Sequence, residues 1–374
     1  MRIREILTRV ATKRFDRPLR NPRSTWNEKH TFLVFIIAED GSRGVGEAWC
    51  EATSPHTIAT FIAEELTSIF QDADVEDVER LWHAAFERTR VSAKPGFTLS
   101  VLGAIETALW DLLAKTHELP LHRMLGSCTD RVGVYASGGL YAEGQTPAEL
   151  GSEMAAHVAS GFRAVKMKVA GAPLAVDVSR VAAVREAIGS DTRLMVDAVY
   201  MLDGTSALRM ARAFEPYDIW FLEAPLAPGD LPGMRALTKR SPIPIAGNEV
   251  AFGLDAYRDL IVEGGIDVVH LDVNQCGGIA EARRIAALAA AFHRPVSFHC
   301  ATSAVCFAAN LQVAASIQNS ESVEYHMIHQ MLFDRLPPGH FRIESGAVVL
   351  PLTPGIGVDL DPDTLDAVTE FEAR

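Results

Sequence analysis

From residue 132 onward, short apolar runs recur along the chain, and each stops at an ionisable side chain. Ala164-Val165-Lys166-Met167-Lys168 closes on two lysines, Leu194-Met195-Val196 on Asp197, and Ile219-Trp220-Phe221-Leu222 on Glu223. Ile243-Pro244-Ile245-Ala246 leads to Glu249, Val268-Val269-His270-Leu271 to Asp272, Val296-Ser297-Phe298 to His299, and Ser322-Val323 to Glu324. From Lys168 on, these residues follow one another at steps of 23 to 29, the length of one strand, one loop and one helix. The stretches between them carry helical stripes. Residues 281–293 place Ile285, Leu288, Ala289 and Phe292 at i, i+3, i+4 and i+7, and Gly161 and Gly264 stand where helices should stop. With residues 132–136 as the first strand, eight strands alternate with helices, which predicts an α/β fold with a closed, TIM-like (β/α)8 barrel. In such barrels chemistry gathers at the C-terminal strand ends, where all of these ionisable residues fall.

The first third reads differently. Residues 3–10, 31–38 and 44–49 are strand-like, the last two separated by the turn signal Asp40-Gly41. Helical stretches follow. Residues 56–71 put Ile58, Phe61, Ile62, Leu66 and Ile69 on one stripe, and 97–115 is apolar enough to be largely buried. Strands followed by helices predict an α+β domain ending near Gly126. Between the first two strands, residues 17–30 are polar, contain Pro18 and Pro22, and predict a mobile loop carrying Arg17, Arg20 and Arg23; Lys94-Pro95-Gly96 predicts another loop. The expected organisation is an N-terminal capping domain over 1–126, a barrel over 127–340, and a segment 341–374 that returns to the cap.

Composition narrows the partners. With 374 residues, 48% hydrophobic and 22% charged, the chain is an ordinary globular one, and its net charge of -13 argues against nucleic acid or anionic membrane. Five cysteines without a C-x-x-C pair suit reduced thiols and a cytoplasmic protein. The N-terminus has no apolar signal core, and no apolar run is expected to reach membrane-spanning length.

The strand ends suggest the chemistry. Lys166 and Lys168 share one face of their strand. Close ammonium groups repel, so each loses its proton more easily, one way to make a base near neutral pH. Asp197, Glu223 and Glu249 end three successive strands and can converge on one point, where a hard divalent cation such as Mg²⁺ would relieve their repulsion. Regular spacing is what separates this reading from three unrelated surface carboxylates. Asp272 can accept the Nδ1 proton of His299 and make it an oriented acid or base. A base on either side of Mg²⁺ suits removal of the proton next to a carboxylate, because the metal and a proton donor stabilise the enediolate that forms. His326 and His329 lack the further ligands a second metal would need and are expected to line the pocket or pack.

These residues resemble a family, the mandelate racemase type of the enolase superfamily, over nearly the whole chain. Residues 104–111 (AIETALWD) resemble its cap-domain helix, Lys166-Met167-Lys168 its Lys-x-Lys strand, and Gly355-Ile356-Gly357 its closing segment. The resemblance implies one Mg²⁺ per subunit on Asp197, Glu223 and Glu249. It implies Lys168 as one base with Lys166 lowering its pKa, Asp272 and His299 as the dyad opposite, and Glu324 as a hydrogen-bond donor to a substrate carboxylate oxygen. It also implies cap loops, here 17–30 and 49–56, that choose the substrate, and a homo-oligomer. Lys-x-Lys with a His-Asp dyad marks this subgroup rather than the lactonising one, which has a lysine where this chain has Asp272. The chain departs from the pattern at Val199, commonly Asn, at Ala224, commonly Glu, and at Gly247-Asn248 before Glu249.

The outcome implied first is dehydration of an acid sugar to a 2-keto-3-deoxy acid, one base taking the α-proton while protonated His299 helps the β-hydroxyl leave. Racemisation, epimerisation or cycloisomerisation would use the same bases. Arg20 and Arg23 can pair with a distal carboxylate, which would favour a diacid. Readings from other classes are weaker. A glycosidase has no use for the lysine pair, a Schiff-base aldolase leaves the three carboxylates unexplained, and a non-catalytic carboxylate-binding barrel would not need both bases.

Overall fold

In the computed structural model, which describes residues 1–51, 53–91 and 95–368, three antiparallel strands open the chain: β1 (Ile3–Arg20), β2 (Thr25–Ala38) and β3 (Arg43–Ala48). The loop expected over 17–30 is instead the far end of the β1–β2 hairpin, where Leu19 opposes Trp26 and Arg20 opposes Thr25. The turn lies over 21–24, where Asn21 Oδ1 accepts from the backbone N–H groups of Arg23 and Ser24. Polar composition concealed these strands because their ladder hydrogen bonds form beyond the buried part of the sheet and leave no apolar alternation.

Helices α1 (Pro55–Phe61), α2 (Val78–Thr89) and α3 (Pro95–Thr116) follow. Pro95 and Gly96, expected in a loop, begin α3; Lys94, and Ala52 of the expected 49–56 loop, lie outside the described residues. Helix α3 lies so close to β3 that a Cβ on Gly44 or Gly46 would stand 2.0 Å from the carbonyl oxygen of Ala108 or Ala104. Contrary to expectation, residues 96–116 do reach the length and apolarity of a membrane-crossing helix, but 83% of that window is buried within the protein. Its apolar surface is covered by its own protein.

The predicted barrel follows. Its strands are β4 (Arg131–Gly138), β5 (Ala164–Lys168), β6 (Arg193–Asp197), β7 (Ile219–Glu223), β8 (Ile245–Gly247), β9 (Val268–Leu271), β10 (Val296–Phe298) and β11 (Ser320–His326). Each pairs in parallel with the next, and β11 closes back on β4. A large apolar core surrounds the barrel, while Tyr135, Met195, Phe221, Ala246 and Val268 form a small separate cluster. Among the helices, α4 (Ile279–Ala291) buries Ile285 and Ala289 as the stripe predicts. Phe292, the last position of that stripe, caps the helix end and is 46% exposed. Helix α5 (Ala304–Ser316) is buried throughout.

Strand β13 (Ala347–Val349) adds antiparallel to β4 and carries β12 (Ile343–Glu344) antiparallel on its outer side, and β14 (Asp366–Ala367) pairs with β1. All five cysteines are free, four of them buried.

Candidate active site

Parallel register places the first strand-end residues side by side: Lys168 opposes Asp197, and Asp197 opposes Glu223. Glu249, Asp272 and His299 lie just past β8, β9 and β10, and Glu324 lies within β11. All converge on the mouth of the barrel. Lys168 Nζ is ion-paired with Asp197, and Lys166 Nζ lies 2.6 Å from Glu223 and 3.1 Å from Glu324. His299 Nδ1 sits 2.7 Å from Asp272 Oδ2. Asp272 is held in turn by the backbone N–H of Asn274 at 2.9 Å and the thiol of Cys306 at 3.4 Å. Glu324 accepts from the backbone N–H of Cys300 at 3.1 Å.

A cavity of about 480 Å³ opens above, with Lys168, Asp197, Glu249 and His299 in its wall. The cap supplies the other side. Lys29 Nζ donates to the Ala301 carbonyl at 2.8 Å, lies 3.3 Å from Glu51, and sits 5.4 Å and 5.7 Å from the rings of Trp26 and Trp49. Arg23, His326 and His329 line the same cavity, the two imidazoles 4.1 Å apart. Arg20 is not among the lining residues; its carbonyl pairs with the N–H of Tyr141.

Burial and charge compete here. Burial alone would lower Lys168, but Asp197 raises it by more than Lys166 lowers it, so its net shift is upward. Lys166 stands well above the usual lysine range because Glu223 and Glu324 outweigh its burial. The expected repulsion between the lysines is present and outweighed. Burial also opposes the charge on His299, yet the hydrogen bond to Asp272 and the charges of Glu249 and Glu324 push it up to about 9. Glu223 is raised to about 7 by burial and by Asp197. Burial would raise Glu249 too, but His270, His299 and Tyr200 hold it below the usual range. Glu324 is held well below it because Lys166, His299 and Lys168 outweigh burial. In this arrangement Glu324 accepts hydrogen bonds, whereas the donor role implied by the resemblance requires a proton on it.

The backbone is strained at the same place. Val199, Tyr200 and Ala224 adopt φ of 47°, 62° and 43°, a region costly for non-glycine residues and for a β-branched one above all. Two of these are the positions where the sequence departs from the family pattern. The Val199 N–H donates to Asp197 Oδ1 at 2.9 Å, and the Tyr200 hydroxyl donates to Glu249.

Sequence reasoning passed over Tyr200, Tyr135, His270 and the Lys29–tryptophan wall. His270 had a usable signal, since it stands two residues before Asp272 on the same strand face. The carboxylates fit a divalent cation: Glu223 and Glu249 offer oxygens within 4.8 Å of each other and of a His270 ring nitrogen, and the buried Glu249 Oε2 has no hydrogen-bond partner. Asp197 is not part of that group.

Comparison with known proteins identifies the family. Residues 149–364 match the model of the enolase C-terminal domain-like family, and residues 4–126 match the N-terminal domain of the mandelate racemase/muconate lactonizing enzymes. The chain is 30% identical over 322 residues to arabinonate dehydratase of Saccharolobus solfataricus, covering 86% of each. It is 31% identical over 332 residues to 3,6-anhydro-alpha-L-galactonate cycloisomerase of Streptomyces coelicolor, covering 89% of each. A solved racemase from Streptomyces coelicolor with bound magnesium superposes with a TM-score of 0.89 at 28% identity, over 97% of this chain and 98% of that one.

Proposed function

This chain belongs to the mandelate racemase/muconate lactonizing enzyme family of the enolase superfamily, an enzyme of the lyase or isomerase kind, and from that premise we propose that it dehydrates an acid sugar. The substrate is a small polyhydroxy carboxylate and the product a 2-keto-3-deoxy acid. Glu223 and Glu249, joined by Asp197 once it turns from Lys168, would hold a divalent cation, and the hardness of three carboxylates suits Mg²⁺. When bound, the cation supplies positive charge against the substrate carboxylate and so stabilises the enediolate.

The remaining steps belong to the chain. Lys168 takes the α-proton in its neutral form, which it reaches only once Asp197 leaves the ion pair that holds its pKa up, and the C–H electron pair moves into the carboxylate. As that pair returns, the β-carbon–oxygen bond breaks and His299 Nε2 delivers a proton to the departing hydroxyl, which leaves as water. The enol then tautomerises to the ketone. Asp272 keeps the His299 ring oriented, and Lys166 and Glu324 hold the charge balance beneath. The observation that carries this reading is the cavity wall that joins Lys168, on the second barrel strand, with an Asp272-held His299 after the seventh. Epimerisation or cycloisomerisation is the second reading, favoured by the cycloisomerase relatives. Buried free thiols support a cytoplasmic setting.

The test is a panel of aldonates and aldarates incubated with Mg²⁺ in D₂O, reading keto-acid formation and α-deuterium exchange together. Keto acid from one compound, lost in Lys168→Ala and in His299→Asn, is the expected result. Exchange without keto acid moves the assignment to the second reading. No turnover of any acid by the Mg²⁺-bound protein rejects both.

A further inference from the structure

Beneath the mouth, four side chains close a ring. Lys166 Nζ donates to Glu223 Oε2 at 2.6 Å and to the Tyr135 hydroxyl at 3.3 Å, and that hydroxyl lies 3.2 Å from His270 Nε2. His270 Nδ1 completes the circuit 3.3 Å from Glu223 Oε1, the other oxygen of the same carboxylate, and 3.8 Å from Glu249 Oε2. Lys166, Tyr135 and His270 are 0% exposed and Glu223 is 1% exposed. Neither Tyr135 nor His270 lines the cavity.

Counting hydrogens sets the direction of the ring. An ammonium group only donates. The Tyr135 oxygen therefore accepts from Lys166 and must pass its own proton to an acceptor, and of its two side-chain contacts His270 Nε2 alone can take it. The hydrogen on the imidazole then sits at Nδ1. This N–H faces the gap between two carboxylates and points squarely at neither, since Nδ1 and Glu249 Oε2 both lack a hydrogen-bond partner. A nitrogen ligand would instead need a lone pair at Nδ1, which would strand the tyrosine proton. An apolar side chain would fill the same space without the penalty of burying an imidazole, so packing alone does not account for His270.

We propose that His270 and Tyr135 are positioning residues for the cation site. The His270 Nδ1–H lies 3.3 Å from Glu223 and 3.8 Å from Glu249, and its attraction for both keeps them turned toward one point. Tyr135 fixes the imidazole tautomer and ties Lys166 into the same ring. Groups that hydrogen-bond metal-ligating side chains set affinity in this way. The inference rests on the proposed function, because it needs a cation on those carboxylates.

The experiment titrates the purified protein with Mn²⁺ alone, reading affinity from the electron paramagnetic resonance of free Mn²⁺ and nitrogen coupling from pulsed measurements. His270→Leu is expected to weaken Mn²⁺ binding roughly 10- to 100-fold. Tyr135→Phe should act in the same direction, and it carries the test if His270→Leu does not fold. His270→Gln, whose amide can both donate to the carboxylates and accept from Tyr135, should restore most of the affinity. Unchanged Mn²⁺ affinity in both His270→Leu and Tyr135→Phe, with only the melting temperature lowered, overturns the inference. So does a directly bonded nitrogen coupling that disappears in His270→Gln. Failure of the wild-type protein to bind Mn²⁺ removes the cation reading itself, and this inference with it.

Discussion

The joint between cap and barrel and the mouth of the barrel both bury carboxylates, and they handle them in opposite ways. At the joint, Glu106 of α3 accepts from the N–H groups of Ile279 and Ala280 at 2.7 Å and 2.9 Å and from the Trp110 indole at 2.7 Å. The first two are donors that the N-terminus of α4 leaves unpaired. Asp111 likewise accepts from the N–H groups of Val45 and Ile356 and from Lys115. At the mouth, Glu249 Oε2 and His270 Nδ1 face each other's neighbourhood without a hydrogen bond, and lysines stand against three carboxylates. Perturbed titration does not separate the two regions, because burial pushes Glu106 and Glu223 alike to about 7. Completed hydrogen bonding does so for Glu106 and Asp111, although Glu47, buried at the same joint against Ser303 and Cys306, keeps one carboxylate oxygen unpaired. The joint is a fastening, and the mouth is a set of groups waiting for a ligand.

The largest effect that would sharpen this contrast is on turnover. Lys168→Met should lower kcat by roughly 10²- to 10⁴-fold while the melting temperature moves little. A loss of fold instead of rate would place Lys168 with the fastening. Glu106→Leu should do the reverse, leaving one buried and two part-buried donors unpaired at a cost on the order of 3 kcal/mol in urea unfolding, with kcat of the folded enzyme unchanged. A rate defect larger than the stability defect would break the distinction.

A pH series tests the joint more finely. Because Glu106 is raised in the folded state, folding favours its protonated form, so its contribution is present below the ordinary carboxylate range and is lost as pH rises through about 7. Unfolding measured between pH 5 and 8 should therefore fall less steeply in Glu106→Gln than in the wild type, and equal slopes would refute the assignment. The smallest effect concerns the strained turn at the mouth. Glycine takes φ of 47° without a steric penalty, so Val199→Gly should raise stability by about 1 kcal/mol. A clear destabilisation would mean that the valine side chain, not the turn, is what matters there.

Much of the barrel was legible because strand, loop and helix lengths repeat, and one period carries the chain once around the sheet. The same period delivers Lys168, Asp197, Glu223, Asp272 and His299 to one end, since parallel strands all point their C-termini the same way. The hairpin arm over 17–30 was not legible, because its pairing rests on backbone hydrogen bonds that leave no mark in side-chain pattern. The helix over 97–115 was legible as a largely buried one, and only its reaching membrane-spanning length went unanticipated.

The order of the strands and the identity of the groups at the mouth were therefore set by the sequence, through local periodicity and the polarity of parallel strands. The partners of those groups were decided by tertiary structure. Lys166 meets Tyr135 across 31 residues, and Tyr135 meets His270 across 135. Such contacts depend on how the closed barrel staggers its strands, and the direction of a proton around a ring is settled only when every donor and acceptor in it stands in place.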